Sequence, residues 1–273
     1  MKIKRISTQK KNNERFNIYI ERDGKEEYAF AVDVDILIKY NLERDKEIDD
    51  DFVKEVLTAE EEQKAYRLSL NHLSYRMRAT SEVETHLIEK ETPEHAIKHA
   101  IQRLTEQKYI DDQQFALAYT ATKKATTPQG PGRIRRDLAA LKVKKEFIDE
   151  ALRQFTEEEE LEKVVKFLRQ KQKELARRSV RELKQKLQQT LMQRGFSSEV
   201  TQQGFQIVFE EVEVDAEEEA ALYQARKYYP KYHKLEPFAR EQKTKQALVR
   251  KGFPYAIVAT VIEQVKQEEE EGI

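Results

Sequence analysis

Few residues of this 273-residue sequence have types and spacing that could do chemistry: His95 and His99, the adjacent Asp111 and Asp112, and Gly130-Pro131-Gly132 followed by Arg133, Arg135 and Arg136. The two histidines lie four apart on one helix and could hold a metal. No Glu follows His95, however, and Glu91 and Glu94 suit a solvated surface, so the pair reads as solvated. His72, His86 and His233 have no partner pattern. Asp111 with Gln114 three residues on fits a helix N-cap and its reciprocal partner better than a catalytic or metal pair, and Ser81 with Glu84 reads in the same way. The Gly-Pro-Gly string lacks the Gly-Lys-Ser/Thr ending of a phosphate loop. With no Cys in the chain, thiolate nucleophiles, disulfides and Cys-ligated zinc or iron–sulfur sites are excluded. Neither a metal nor a cofactor is expected, and the chemistry left is non-covalent binding.

The groups suited to binding are cationic. The chain as a whole is near neutral, 50 Lys+Arg against 51 Asp+Glu. The balance is uneven along it: residues 161–195 carry eleven basic groups against only Glu162, Glu174 and Glu182. Lys163, Lys166, Lys173 and Arg177, at helical spacing, fall on one stripe with Arg169 beside it, and Arg178, Arg181 and Lys184 form a second short stripe. Arg133, Arg135 and Arg136 gather at a helix start, where free backbone N–H groups favour an anion but basic side chains oppose the macrodipole. Two readings stand: contact with a polyanion or an acidic protein surface, or solvated helix faces with intramolecular ion pairs. Tyr223, Tyr228, Tyr229 and Tyr232 could stack on bases or pack between helices.

These side chains must be positioned mainly by helices, because 7 Gly and 6 Pro leave little material for long loops or many-stranded sheets. The exception is the leader. Residues 15–21 (RFNIYIE) alternate, residues 27–32 follow after Asp23-Gly24, and residues 2–7 can add a third strand, predicting a small sheet. Helical segments are expected at residues 34–40 and 50–59. From about residue 61 the apolar spacing is helical. Four segments align without a gap on Leu87, Leu138, Leu191 and Leu248. Apolar or small residues coincide nine positions on (Ala96, Phe147, Val200, Ile257) and fourteen positions on (Ile101, Leu152, Phe205, Ile262). Gly195 and Gly252 stand four positions on in the last two copies, where a helix should end, but Glu91 and Lys142 stand there in the first two.

The expected fold is therefore mainly α: about four elongated tandem three-helix repeats behind a small domain containing a β-hairpin. The expected divisions are residues 1–60 for the leader, 61–107, 108–156, 157–210 and 211–267 for the repeats, and 268–273 for an acidic tail, frayed and solvated over residues 268–271. No run approaches the roughly 18 apolar residues that cross a bilayer, and the basic start has no apolar stretch behind it, so a cytoplasmic protein without membrane contact is expected.

The string Arg177-Arg178-Ser179-Val180-Arg181-Glu182-Leu183 with Lys186-Leu187, and its echo at residues 76–87 (RMRATSEVETHL), resemble the RecX family of bacterial recombination regulators. So do Tyr109-Ile110-Asp111-Asp112 followed by Phe115-Ala116 and Tyr119, and residues 130–138 (GPGRIRRDL), in that order within tandem three-helix units over about residues 61–266. The resemblance implies a non-enzymatic regulator of homologous recombination, DNA repair and the SOS response, acting as a monomer. Such a regulator binds the filament of RecA recombinase on single-stranded DNA along its groove and inhibits ATP hydrolysis and strand exchange. It also implies some direct affinity for single- and double-stranded DNA. The alternative, from repetition alone, is a helical-repeat scaffold that binds a protein partner without DNA.

Overall fold

Alternating residues in the leader sort onto two faces of a sheet. A computed structural model of the chain describes residues 1–10, 12–209 and 214–271. Strands β1 (Lys2–Gln9), β2 (Asn12–Arg22) and β3 (Lys25–Asp33) form an antiparallel sheet in the order β1-β2-β3. Asp23 and Gly24 both have positive φ, 52° and 75°, as a two-residue hairpin turn of the primed type requires. Ile18 pairs with Ile6 and Phe30, and Phe16 with Val32. Ile3, Ile18, Ile20, Phe30 and Val32 turn to one buried face. Helices α1 (Val34–Lys39) and α2 (Asp50–Leu73) complete that core with Ile36, Val56 and Ala59.

Asp33 caps α1 through Asp35 N, and Asp49 caps α2 through Phe52 N at 2.7 Å. The division expected at residue 60 falls inside the continuous helix α2. Its residues up to Ala59 join the leader core, and Ala65 and Tyr66 join the first helical core. Between them Glu60 accepts from Asp33 N at 2.7 Å and pairs with Arg15, and Arg67 binds Asp33 and Glu14. These bonds tie sheet to helix where the two cores meet.

The repeats have three α-helices each, α2 being the first helix of the first repeat. After α2 come α3 (Thr80–Glu89) and α4 (Glu94–Glu106), then α5 (Asp112–Thr126), α6 (Pro131–Ala140) and α7 (Lys145–Leu152). The third unit is α8 (Glu157–Gln172), a 3₁₀ turn (Lys173–Arg177), α9 (Val180–Gln193) and α10 (Ser198–Phe209). The fourth is α11 (Val214–Tyr228), a 3₁₀ turn (Pro230–Tyr232), α12 (Pro237–Arg250) and α13 (Tyr255–Glu271). The division expected between residues 210 and 211 lies outside the described residues.

Leu87, Leu138, Leu191 and Leu248 are all fully buried, each near the end of its unit's middle helix. All four fourth-position residues are left-handed: Glu91 at φ 55°, Lys142 at 58°, Gly195 at 85° and Gly252 at 92°. The carbonyls of Leu87, Leu191 and Leu248 accept from Thr92, Phe196 and Phe253 N, five residues on. The same helix-ending turn therefore closes every unit, with or without glycine. Glu91 and Lys142 are departures in residue type and not in geometry.

Backbone contacts split the chain into two compact units, Met1–Ala116 with Ala139–Phe147, and Leu117–Leu138 with Ile148–Ile273. A recurring joint is found in each. In the first, the Ser81 hydroxyl near the start of α3 donates to the Leu141 carbonyl in the α6–α7 turn. In the second, Gly130 and Gly132 N at the start of α6 donate to the Arg194 and Gly195 carbonyls, both at 2.9 Å, and the Ser179 hydroxyl at the start of α9 donates to the Lys251 carbonyl. The start of a middle helix thus seats on the turn after the next repeat's middle helix.

Two expectations change. Ser81 and Glu84 do not form a capping box. Ala79 is the N-cap of α3, its N–H donates to the Glu82 carboxylate at 3.0 Å, and Thr80 N donates to Asp112 at 2.8 Å. Ser81 is drawn into the joint instead. The acidic end is not frayed: α13 continues to Glu271, with Glu268 bound to Arg226 and Glu269 bidentate to Arg240 at 2.8 Å. Two guanidinium forks hold what like-charge repulsion would loosen.

Candidate polyanion-binding surface

Gly130-Pro131-Gly132 starts α6 where Gly195 comes closest. A Cβ added at Gly130 would lie 2.6 Å from the Gly195 carbonyl oxygen, and one added at Gly195 would lie 2.0 Å from Arg133 N. The string is the place where two backbones touch, and Pro131 at the first helical position gives up an N–H that has no helical partner there. The free N–H groups expected to attract an anion here are taken: Gly132 N by Gly195 O, and Arg133 N by Gly130 O. Of the three arginines, Arg133 pairs with Asp137 at 3.0 Å and Arg135 with Asp149, while Arg136 donates to the Gly132 and Gln193 carbonyls. Carbonyls cancel no charge, so Arg136 keeps its own.

The long stripe expected over residues 163–177 is not continuous. Helix α8 ends at Gln172, the 3₁₀ turn changes the angular step per residue, and Arg178 is extended at φ −139°. Lys163 turns inward and donates to the Lys124 and Thr127 carbonyls at the end of α5, where burial pushes its ammonium below the usual lysine range. It caps a helix rather than facing a ligand. Lys166 and Arg169 remain exposed on α8, and Lys173 and Arg177 are exposed on the 3₁₀ turn, Arg177 5.8 Å from the Tyr223 ring centre.

The second stripe is broken as well. Arg178 precedes the Ser179 N-cap of α9 and is bound to Glu174 and Glu182, whereas Arg181 and Lys184 share a face of α9. Glu174 gathers Lys186, Lys171 and Arg178, and the hydrogen bonds from Lys186 and Lys171 hold its carboxyl below the usual range. Lys184 lies 5.5 Å from the Phe209 ring centre.

The fold gathers cations that the sequence kept apart. Beside the joint between α9 and α12 is a cleft of about 570 Å³ whose polar lining is Arg181, Glu182, Gln185, Tyr228, Arg250 and Lys251. Arg181 and Arg250 are exposed and have no carboxylate partner among the described residues, and Lys251 is 3.9 Å from Glu182. Two guanidinium forks can grip phosphate oxygens, and the half-buried Tyr228 ring beside Lys251 offers a face to a base. Of these groups the spacing pointed to Arg181 and, as a stacking candidate, Tyr228. Arg250 and Lys251 lie in a neutral stretch. Their signal was positional: they immediately precede the turn glycine Gly252, as Arg194 precedes Gly195. The other tyrosines divide: Tyr229 is buried under Arg240, 3.8 Å from its ring centre, and Tyr223 is exposed.

His95 and His99 face α2, at 3.1 Å from Glu61 and 3.6 Å from Glu62. Asp111 accepts from Gln113 and Gln114 N at 3.0 Å, capping α5.

Comparison with known proteins agrees along the chain. The model of the regulatory protein RecX N-terminal domain matches residues 1–49. Those of the first and second RecX three-helix domains match residues 65–104 and 111–152. The third three-helix domain model matches twice, at residues 157–203 and 215–262. The chain is 41% identical to regulatory protein RecX of Bacillus subtilis (strain 168) over 98% of both chains. It is 40% identical to that of Halalkalibacterium halodurans over 94% of this chain and 97% of the other. A crystal structure of a regulatory protein RecX superposes with a TM-score of 0.64 at 36% identity, covering 77% of this chain and 99% of that one. Leader, repeats and relatives matched nearly end to end place this chain in the RecX family of regulatory proteins.

Proposed function

We propose that the protein is a non-enzymatic regulator of homologous recombination and DNA repair in the bacterial cytoplasm. It binds the RecA–single-stranded DNA filament along its groove and restrains ATP hydrolysis and strand exchange. Kinship over 98% of the chain carries this reading. Direct DNA contact is assigned first to Arg181 and Arg250, which share the cleft and have no carboxylate partner among the described residues, then to Lys251, which Glu182 partly neutralises, and to Arg136, Lys166, Arg169, Lys173, Arg177 and Lys184. Arg133, Arg135, Lys163 and Arg178 are engaged within the chain and shape the surface around them. Among the described residues no helix is long and apolar enough to cross a membrane.

The test is RecA ATPase on single-stranded DNA, titrated with the protein at two ionic strengths, alongside binding to a labelled oligonucleotide. If about six phosphates are neutralised, the log–log salt slope of single-strand binding is near −4, at roughly 0.7 per phosphate. Replacing Arg181 and Arg250 by Ala flattens the slope by about 1.4 if each touches one phosphate. Undiminished ATPase at saturating protein defeats the regulatory reading, and an unchanged slope defeats the assignment of the cleft. The internal pairing of Arg133, Arg135 and Arg178 favours a second reading, a scaffold that binds protein without DNA. Full ATPase inhibition with no oligonucleotide binding identifies it.

A further inference from the structure

The joints leave one half unused at each end of the repeat series. Among the described residues, α12, the middle helix of the fourth unit, seats on no further turn, and the turn at residues 87–92 in the first unit receives no middle helix. Each of these two places carries an exposed apolar side chain. Phe238, in the first turn of α12, is 74% exposed, and Ile88, beside the first turn, is 63% exposed.

Phe238 stands ten residues before Leu248, as Arg181 stands ten before Leu191, and one family model matches both units. Arg181 packs on the next turn beside Ser179: a Cβ added at Gly252 would lie 3.0 Å from the Ser179 hydroxyl oxygen and 3.1 Å from the Arg181 Cβ. Phe238 thus occupies the position that, one unit earlier, covers a turn. Charges on the two ends are complementary. Exposed Lys231 and Lys234 lead into α12, and exposed Glu89 and Glu91 flank the first turn; exposed Glu236 and Lys90 are opposite in sign as well. None of these six forms an ion pair with the described residues.

We propose that two copies of this chain associate head to tail, the turn at residues 87–92 of one docking on the start of α12 of the other, with Ile88 against Phe238. The contact is heterologous: the first pairing leaves one turn and one helix start unused. A single helix start on a single turn is smaller than the roughly 1,200–2,000 Å² of a stable interface. The contact is accordingly weak and shows at high concentration, with a Kd on the order of 100 µM. It departs from the monomer expected from sequence and does not depend on the regulatory reading.

Sedimentation equilibrium of the full-length protein tests it. The wild type rises in mean mass with concentration. Phe238→Glu and the double replacement Glu89→Lys, Glu91→Lys each remain monomeric, their Kd raised at least about tenfold, with helical circular dichroism unchanged because all three sites are exposed. Mixed together, the two variants form a dimer and nothing larger, since each keeps one intact end and only one pairing is possible. A wild type that stays monomeric up to about 1 mM overturns the proposal. So does association that both variants retain, or a mixture that fails to pair. Loss of filament binding by Phe238→Glu while the wild type is monomeric assigns the surface to a different partner and also overturns it.

Discussion

Replacing glycine by alanine at three positions separates backbone strain from the close approach that builds a joint. Gly24, Gly195 and Gly252 all have positive φ, 75°, 85° and 92°, so each Gly→Ala change costs about 1 kcal/mol for the left-handed backbone alone. What surrounds them differs. A Cβ at Gly24 meets nothing within 4 Å, and the expected loss stays near about 1 kcal/mol. At Gly252 the nearest atoms are the Ser179 hydroxyl oxygen at 3.0 Å and the Arg181 Cβ at 3.1 Å, and making room loosens the Ser179 hydrogen bond to the Lys251 carbonyl, for a total of about 2 kcal/mol. At Gly195 the obstacle is backbone, Arg133 N at 2.0 Å. There the turn and the start of α6 must part. Overpacking contributes about 1–3 kcal/mol and the two joint hydrogen bonds about 1 kcal/mol each, so the loss is about 4 kcal/mol or more. Urea denaturation followed at 222 nm reads the series, and Gly195→Ala also broadens the transition as neighbouring repeats uncouple. A Gly195→Ala protein no less stable than Gly24→Ala would refute the joint.

The converse changes stabilise: Glu91→Gly and Lys142→Gly relieve left-handed backbone at φ 55° and 58° and should each add about 0.5–1 kcal/mol, read as a higher urea midpoint at unchanged slope. Glu160 predicts a pH dependence. Its buried carboxyl accepts from Ser197 N at 2.6 Å, and burial holds its pKa above the ordinary value. Between the unfolded and the raised folded pKa the native state binds more protons, so this group's contribution declines as pH rises through that window. The stability of wild type relative to Glu160→Gln should therefore improve on acidification toward the unfolded pKa, and a difference in urea midpoint that is flat with pH would count against it. Exposed Lys166→Glu with Arg169→Glu should leave the urea midpoint nearly unchanged and weaken oligonucleotide binding more at low salt than at high salt.

The sequence by itself determined the local events. Alternation at Phe16, Ile18 and Ile20 with Asp23-Gly24 made the hairpin, and Leu87, Leu138, Leu191 and Leu248 marked four units, because both signals repeat within a strand or a helical turn. Resemblance added the family. The tertiary structure decided which groups meet. Ser81 left a capping box for the Leu141 carbonyl, Lys163 left a solvent stripe for the end of α5, and Arg133 and Arg135 found Asp137 and Asp149. Arg181 gained Arg250 and Lys251 from another unit. A cation's availability depends on which carboxylates and carbonyls lie within a few ångströms, and those arrive from residues far along the chain, as Glu182 does for Lys251. The turn is the clearest case: at Gly195 a residue type announced it, whereas at Glu91 and Lys142 only the folded backbone could, since the left-handed conformation is set by helix packing and merely made cheaper by glycine.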